Sequence, residues 1–263
     1  MSIIYINPFQ FGPGYDADAQ AYITAVEAAD GQSLETAVKD AINDFFVGCK
    51  ADGIFSALKA SCILAGARTL SGALVPLVST MPAPTNGGGN FQAGDYNRKT
   101  GLVGDGSTKY LDSSYTYPVS LKDNCHSSAW FSAPETVGLS VAAYGDNVAN
   151  GSFLSANAAR LYQQSTTTFT PSDTTTAGFR GISRSSSASF IYRRANTNET
   201  ANIASAFVTH QFLGMFARRR ESGAYDNYSD ARLAFYSIGE SLDLALLDAR
   251  VSTLMSDLAA AIP

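Results

Sequence analysis

The hydrophobic pattern of this chain changes its period part-way along. Over roughly the first 65 residues, apolar side chains recur at helical spacing, whereas after Gly101 they fall in short runs about ten residues apart. Only the end, from Ser241 to Ile262, returns to a helical pattern. The pattern therefore predicts a mainly β fold: a β-sandwich of jelly-roll type with an N-terminal helical cap and a C-terminal helix.

Three helices are predicted before the strands. Asp16 is expected to cap the first, whose apolar face carries Ala19, Tyr22, Ile23 and Val26. Ser33 is expected to cap the second, whose stripe comprises Leu34, Val38, Ile42, Phe45 and Cys49. The third is expected to start at Ile54, with Phe55, Leu58 and Cys62 on one side. Such short helices cannot bury their stripes alone, so we expect Phe45 to lie in the core of a helical cap, separate from the core of the sandwich.

The order of elements divides the chain into four parts. Residues 1–15 form an arm, 16–80 a helical region, 81–100 a linker, and 101–263 the sandwich with its C-terminal helix. The run of Pro and Gly from Met81 to Gly89 is the clearest linker signal. The final helix is expected to start at Asp243 and to pack on the sandwich or on the helical cap.

The first fifteen residues are too apolar for a disordered tail and too often interrupted by Pro and Gly for a helix. We therefore expect them to dock on the rest of the fold or on another subunit. Tyr5, Phe9 and Phe11 would carry that contact, because each buried ring removes a large area from water.

Composition excludes several partners. The net charge is −5, which argues against nucleic acid because phosphate binding needs concentrated Lys and Arg. The N-terminus has no basic leader, and no apolar run approaches the roughly 18 residues of a membrane span, so neither export by that route nor a membrane is expected. Three cysteines without a C-x-x-C pair are expected to be buried thiols.

Three segments resemble a known family. The run from Asp16 to Lys59-Ala60 resembles the helical N-terminal part of a family of tailed-phage virion proteins. Gly101-Leu-Val-Gly-Asp-Gly-Ser-Thr-Lys-Tyr-Leu-Asp112 looks like the opening of a concanavalin-A-like, laminin-G-like jelly roll, and Phe235-Tyr-Ser-Ile-Gly-Glu-Ser-Leu242 looks like its closing strand. The resemblance implies a virion location, in the tail, a fibre or a capsid decoration, and carries over no catalytic residue.

Candidate catalytic groups are sparse in the sequence. A retaining glycosidase needs two carboxylates about 5 Å apart, whereas Glu135, Glu199, Glu221 and Glu240 are isolated among turn residues. His126 and His210 lack a nucleophile elbow or an acidic partner and are expected to be structural. We therefore predict a non-enzymatic structural protein that assembles with other virion proteins and with copies of itself.

A loop near the C-terminus is the best candidate for binding a ligand. It brings together Asp226, Asn227, Tyr228 and Asp230, with Tyr225 and Arg220 beside it. Exposed rings stack on sugars, and short carboxylates and amides bind hydroxyl groups. The alternative function is therefore a carbohydrate-binding module for host surface glycan. No cofactor is expected, although Asp226 and Asp230 could offer oxygen ligands to calcium; a plain hairpin turn is the other interpretation.

Overall fold

A computed structural model describes residues 14–88, 90–116, 118–137, 141–144, 151–154, 162–165, 167–171, 177–206, 213–220 and 222–263. The helices are α1 (Ala17–Asp30), α2 (Thr36–Ala51), α3 (Leu70–Ala73) and α4 (Leu244–Ala261). The strands are β1 (Leu58–Ile63), β2 (Thr85–Gly88), β3 (Tyr96–Asn97), β4 (Gly101–Val103), β5 (Lys109–Asp112), β6 (Cys125–Ala133), β7 (Val141–Tyr144), β8 (Gly151–Leu154), β9 (Tyr162–Ser165), β10 (Gly178–Arg184), β11 (Phe190–Arg194), β12 (Thr197–Ala201), β13 (Gly214–Met215), β14 (Arg218–Arg219), β15 (Tyr225–Asp226) and β16 (Arg232–Gly239).

The strands form two mainly antiparallel sheets. The first, sheet A, has the order β12-β11-β10-β6-β16-β4-β3, and β1 also pairs with β16. The second, sheet B, has the order β15-β14-β7-β13-β5-β2, with β8 paired to β7 and β9 to β8. β14 pairs with β7 in parallel.

The inner faces of the two sheets share one core, so they stack as a sandwich. Sheet A contributes Phe131, Ile182 and Tyr236, and sheet B contributes Leu111 and Met215, all essentially inaccessible to solvent. Side chains alternate between the faces of a strand, and each sheet therefore presents a second face away from this core.

The outer face of sheet A is covered by a layer of helices. α1, α2 and α4 pack there in a second core that includes Phe45 of α2, Leu247 of α4, and Phe179 and Phe235 of the sheet. Phe45 is 2% exposed, which confirms its expected place in a core. Asp16 caps α1 as expected, its carboxylate accepting from the backbone N–H groups of Asp18 and Ala19.

The expectation of a third helix from Ile54 is wrong. Only a 3₁₀ turn, Phe55–Ala57, follows α2, and β1 then pairs with the C-terminal half of β16. Leu58 and Ile63 face the helices, whereas Ala60 and Cys62 face the inner core. Phe55, Leu58 and Cys62 also fit the spacing of one helical face, and six residues are too few to separate the helical period from that of a strand.

Two further details differ from expectation. α2 begins after Glu35 and not at Ser33, and no side chain caps its first turn. Within the expected linker, residues 85–88 and 96–97 are β2 and β3. Within the described ranges, no helix combines the length and the apolar character needed to cross a bilayer.

Candidate functional site

The predicted ligand-binding residues lie on and just after the hairpin of β14 and β15. Arg218 pairs with Asp226 and Arg219 with Tyr225 across the two strands. The loop between them closes because Gly223 adopts a left-handed conformation (φ +87°) and Arg220 N–H donates to Ala224 O at 2.8 Å. Neighbouring residues point to opposite faces of a strand, so Asp226 and Tyr225 do not share a surface.

One face of the hairpin holds an arginine–carboxylate cluster. Arg218 donates from Nε and Nη2 to the two carboxylate oxygens of Asp226, at 2.8 and 2.6 Å. Arg220 adds a hydrogen bond from Nε at 2.7 Å. Burial alone would raise the pKa of Asp226, but the two guanidinium groups outweigh it and the pKa is lowered. Arg218 and Arg220 together therefore hold Asp226 as a carboxylate.

The other face of the hairpin holds a tyrosine pair. The rings of Tyr110 and Tyr225 stack with their centroids 3.6 Å apart and 15° between their planes. The Tyr225 hydroxyl donates to Asp112 Oδ2 at 2.7 Å, and Arg219 forms an ion pair with the same carboxylate. Burial is the larger cause that raises the pKa of Tyr225 well above its ordinary value, and the hydrogen bond to Asp112 raises it further. Leu111 points into the inner core, so Tyr110 and Asp112 lie on the outer face of sheet B.

Glycines of the sheet make room for these two rings. A Cβ on Gly87 would lie 2.5 Å from the Tyr110 ring, and one on Gly214 would lie 3.0 Å from the Tyr225 ring. The Tyr110 ring therefore has the backbone at Gly87 on one face and the ring of Tyr225 on the other. Its edges and its hydroxyl group are the parts left for an external molecule.

Asp230 belongs to a different contact. Its carboxylate accepts from the N–H groups of Thr136 and Val137, at 2.7 and 3.0 Å, and from the Thr136 hydroxyl. Burial would raise the pKa of Asp230, but these hydrogen bonds lower it. Asp230 thus holds the loop after β6 against the start of β16.

The remaining two residues of the predicted site join the hairpin to that loop. Asn227 is exposed and left-handed (φ +49°), a conformation that Asn tolerates better than most residues. Tyr228 donates its hydroxyl to Tyr225 O at 3.2 Å and is partly buried. The structure thus divides five of the six predicted residues among three local contacts and leaves Asn227 exposed.

Calcium at this hairpin remains a prediction that the contacts do not favour. A cation at Asp226 would have to displace Arg218 and Arg220, and one at Asp230 would have to displace the donors of Thr136 and Val137. Among the residues that the structure describes, no group of three or more His, Cys, Asp or Glu side chains is placed to hold a metal ion.

The structure contains a serine–histidine pair that sequence patterns did not indicate. His126 Nε2 lies 2.8 Å from Ser237 Oγ, and its Nδ1 lies 2.5 Å from Glu240 O. Both side chains are fully buried, so a substrate does not reach the hydroxyl group. Burial lowers the pKa of His126 to about 4, which keeps the imidazole neutral at pH 7. The pair links β6 to β16 and is structural.

All three cysteines are buried thiols, as expected, and burial raises the pKa of Cys49 and Cys62 to about 12. Tyr5, Phe9, Phe11, His210 and Glu221 lie outside the described residues. Sequence reasoning missed Asp112 and Thr136, which bind the hairpin and its neighbour from more than 90 residues away.

Comparison with known proteins adds no family. No protein-family model matches the chain, and no curated protein matches it.

Proposed function

We propose that this chain is a non-enzymatic structural component of a tailed-phage virion, in the tail, a fibre or a capsid decoration. Its sandwich would be a jelly roll of the concanavalin-A-like type, and its helical layer would serve assembly with other virion proteins. The proposal starts from the three segments that resemble such proteins, at residues 16–60, 101–112 and 235–242.

The observation that carries the proposal is that these separated segments adjoin one another. Phe45, in the first segment, packs on Phe235, the first residue of the third, with ring centroids 5.9 Å apart. β4, in the second segment, pairs with Arg232 and Leu233 of β16, the strand that continues into the third segment. Gly101 is left-handed (φ +87°), and a Cβ there would collide with Leu233 O, so this motif glycine has a structural reason. Segments that resemble the same family and lie close together in the fold support the proposal that they belong to one domain of that family.

Quantitative mass spectrometry of purified particles tests the proposal. Particles from the source that encodes the chain would be banded by density and their proteins counted against a known major component. We expect peptides of this chain at a fixed, particle-proportional copy number that survives a salt wash. Presence in the lysate with loss from the banded particles would contradict the proposal.

A second candidate, binding of host surface glycan, is favoured by the tyrosine pair on the outer face of sheet B. There the hydroxyl-bearing edges of Tyr110 and Tyr225 lie beside the Asp112–Arg219 ion pair. Aromatic edges next to charged hydrogen-bonding groups suit a sugar ring.

A glycan array separates the two candidates. A glycan-binding protein should retain a defined set of glycans, and Tyr110→Ala should remove that binding. Tyr15→Ala, which removes the same side chain from the helical layer, is the matched control. An array with no retained glycan, or binding unchanged by Tyr110→Ala, would count against this second candidate.

A further inference from the structure

α2 and α4 enclose a groove on the outer side of the helical layer. The two helices run in opposite directions, because Gly48 lies beside Arg250 whereas Ala37 and Ala260 line the other end of the same cleft. The central part of the groove has a volume of about 440 Å³. It is lined by Ala41, Asp44, Phe45, Val47, Gly48, Ala51, Arg250, Thr253, Leu254 and Asp257.

The groove is lined by two aspartates, Asp44 and Asp257, whose carboxylates are accessible to a partner. Asp44 and Asp257 are exposed, and within the described part of the chain no side chain forms a salt bridge with either. Arg250, the cation of this groove, is held by Asp52 through bonds of 2.7 and 3.0 Å. A Cβ on Gly48 would lie 2.8 Å from the Arg250 side chain, so this glycine lets the guanidinium group lie across α2.

An apolar side chain follows Asp44 along the groove, about one helical turn further along α2. Val47 is 47% exposed, which sets it apart from the apolar residues of α2 that face the core. The lysines of α2 point the other way: Lys39 pairs with Glu27, and Lys50 pairs with Asp16. α2 therefore keeps its cations toward α1 and leaves carboxylates and one valine toward the groove.

We propose that the α2–α4 groove docks a cationic segment of a different virion protein. Lys or Arg side chains of that segment would pair with Asp44 and Asp257, and an apolar side chain beside them would cover Val47. Complementary charge across an interface favours such a partner and discriminates against others. The inference rests on the proposed function, since it names the partner chemistry of the assembly face.

Two other occupants fit the charges less well. Residues 1–13 contain no Lys or Arg, so docking them here would take two carboxylates out of water without compensation. A second copy of the chain offers few spare cations, because ion pairs already hold most of the described ones. These are Lys39, Lys50, Lys59, Arg68, Arg98, Lys109, Lys122, Arg193, Arg218, Arg219, Arg220 and Arg250.

Site-specific photo-crosslinking in assembled particles tests the groove. The full chain would carry p-benzoylphenylalanine in place of Val47, and the matched control would carry it in place of Leu246, which is 37% exposed on α4 and does not line the groove. We expect the Val47 position to crosslink to another virion protein, at a peptide with Lys or Arg within about one helical turn of the crosslinked residue. The Leu246 position should give no such product.

Charge reversal provides the second measurement. Asp44→Lys with Asp257→Lys, in the same crosslinking chain, should reduce the yield about tenfold or more, since each lost contact of 1.4 kcal/mol is a factor of ten. Both substitutions are on exposed positions, and an unchanged thermal unfolding curve would show that the fold is retained.

Several results would overturn the inference. They are a crosslink from Val47 to residues 1–13, to a second copy or to an uncharged peptide, no crosslink at all in particles that contain the chain, or a yield insensitive to charge reversal. If mass spectrometry finds the chain in particles but the groove fails these tests, only this inference falls. If the chain is absent from particles, the proposed function falls first.

Discussion

The ring of Phe45 on α2 meets the ring of Phe235 on β16, with centroids 5.9 Å apart and planes inclined at 66°. This contact joins the helical layer to sheet A of the sandwich. The sequence led us to expect a helical cap with a core separate from that of the sandwich. Instead, the core under the helices is built in part by sheet residues, among them Phe179 and Phe235.

Truncation of Phe45 should destabilise the whole fold. Phe45→Ala removes a fully buried ring and should lower the free energy of unfolding by about 3–5 kcal/mol. Because the ring touches β16, helix and sheet should unfold together. Far-UV circular dichroism reports the helices, and the fluorescence of Trp130, which pairs with Phe235 across β6 and β16, reports the sheet.

Val47→Ala is the control for this experiment, since Val47 lies on the same helix but is half-exposed. It should change stability by no more than about 0.5 kcal/mol. A helical transition that precedes the Trp130 transition in Phe45→Ala would show that the two layers unfold independently and would contradict the prediction.

His126 should make the protein less stable in mild acid. Its pKa is about 4 in the folded protein, below the usual 6.5, because burial disfavours the imidazolium. The unfolded state therefore binds more protons between pH 6.5 and 4, and stability falls as the pH falls through this window. The loss should be on the order of 3 kcal/mol, at about 1.4 kcal/mol for each unit of pKa.

Chemical denaturation at a series of pH values measures this loss. His126→Gln should be less stable than the wild type at pH 7 but should show a smaller decrease between pH 6.5 and 4. His210→Gln, which removes the other histidine, should keep the wild-type decrease. If the two variants exchange these behaviours, the assignment to His126 is wrong.

The Arg218–Asp226–Arg220 cluster should stabilise the hairpin of β14 and β15. Asp226→Asn leaves two partly buried guanidinium groups without their carboxylate, which should cost about 1–3 kcal/mol. Asp44→Asn, at an exposed position on α2, should cost almost nothing. Urea denaturation of both variants measures the difference, and equal stability would show that solvent already screens the hairpin cluster.

The N-terminal arm should be separable from the fold. Tyr15 donates to Asp40, and Asp16 caps α1, so both must stay when the arm is removed. Deletion of residues 1–13 should leave the unfolding midpoint nearly unchanged while reducing incorporation into particles. A truncated protein that incorporates normally would show that Tyr5, Phe9 and Phe11 make no assembly contact.

Sequence patterns predicted the three long helices because each of them buries one face. The stripe of Val38, Ile42, Phe45 and Cys49 has a single period, and α2 follows it. The predicted final helix is α4, which starts after the capping residue Asp243. β1 was missed because Phe55, Leu58 and Cys62 fit the spacing of one helical face, and a strand of six residues is too short for its own period to outweigh that pattern.

The candidate site was predicted less well for a different reason. Tyr225, Asp226 and Tyr228 are close together in the sequence, so we predicted that they share one loop. In the structure Tyr225 and Asp226 are neighbours on β15 and point to opposite faces of the strand. Their actual partners are set by tertiary structure: Tyr225 binds Asp112, which lies 113 residues earlier. Local sequence does not encode a contact of that range.

Imaging the native particle at a resolution that shows secondary structure is the most direct test of the proposed place of this chain in a virion. We predict density for this two-sheet fold at regular positions in the particle, with the α2–α4 layer against a neighbouring virion protein and the outer face of sheet B away from that contact. Particles with no such density, or density in which the helical layer faces only solvent, would contradict it.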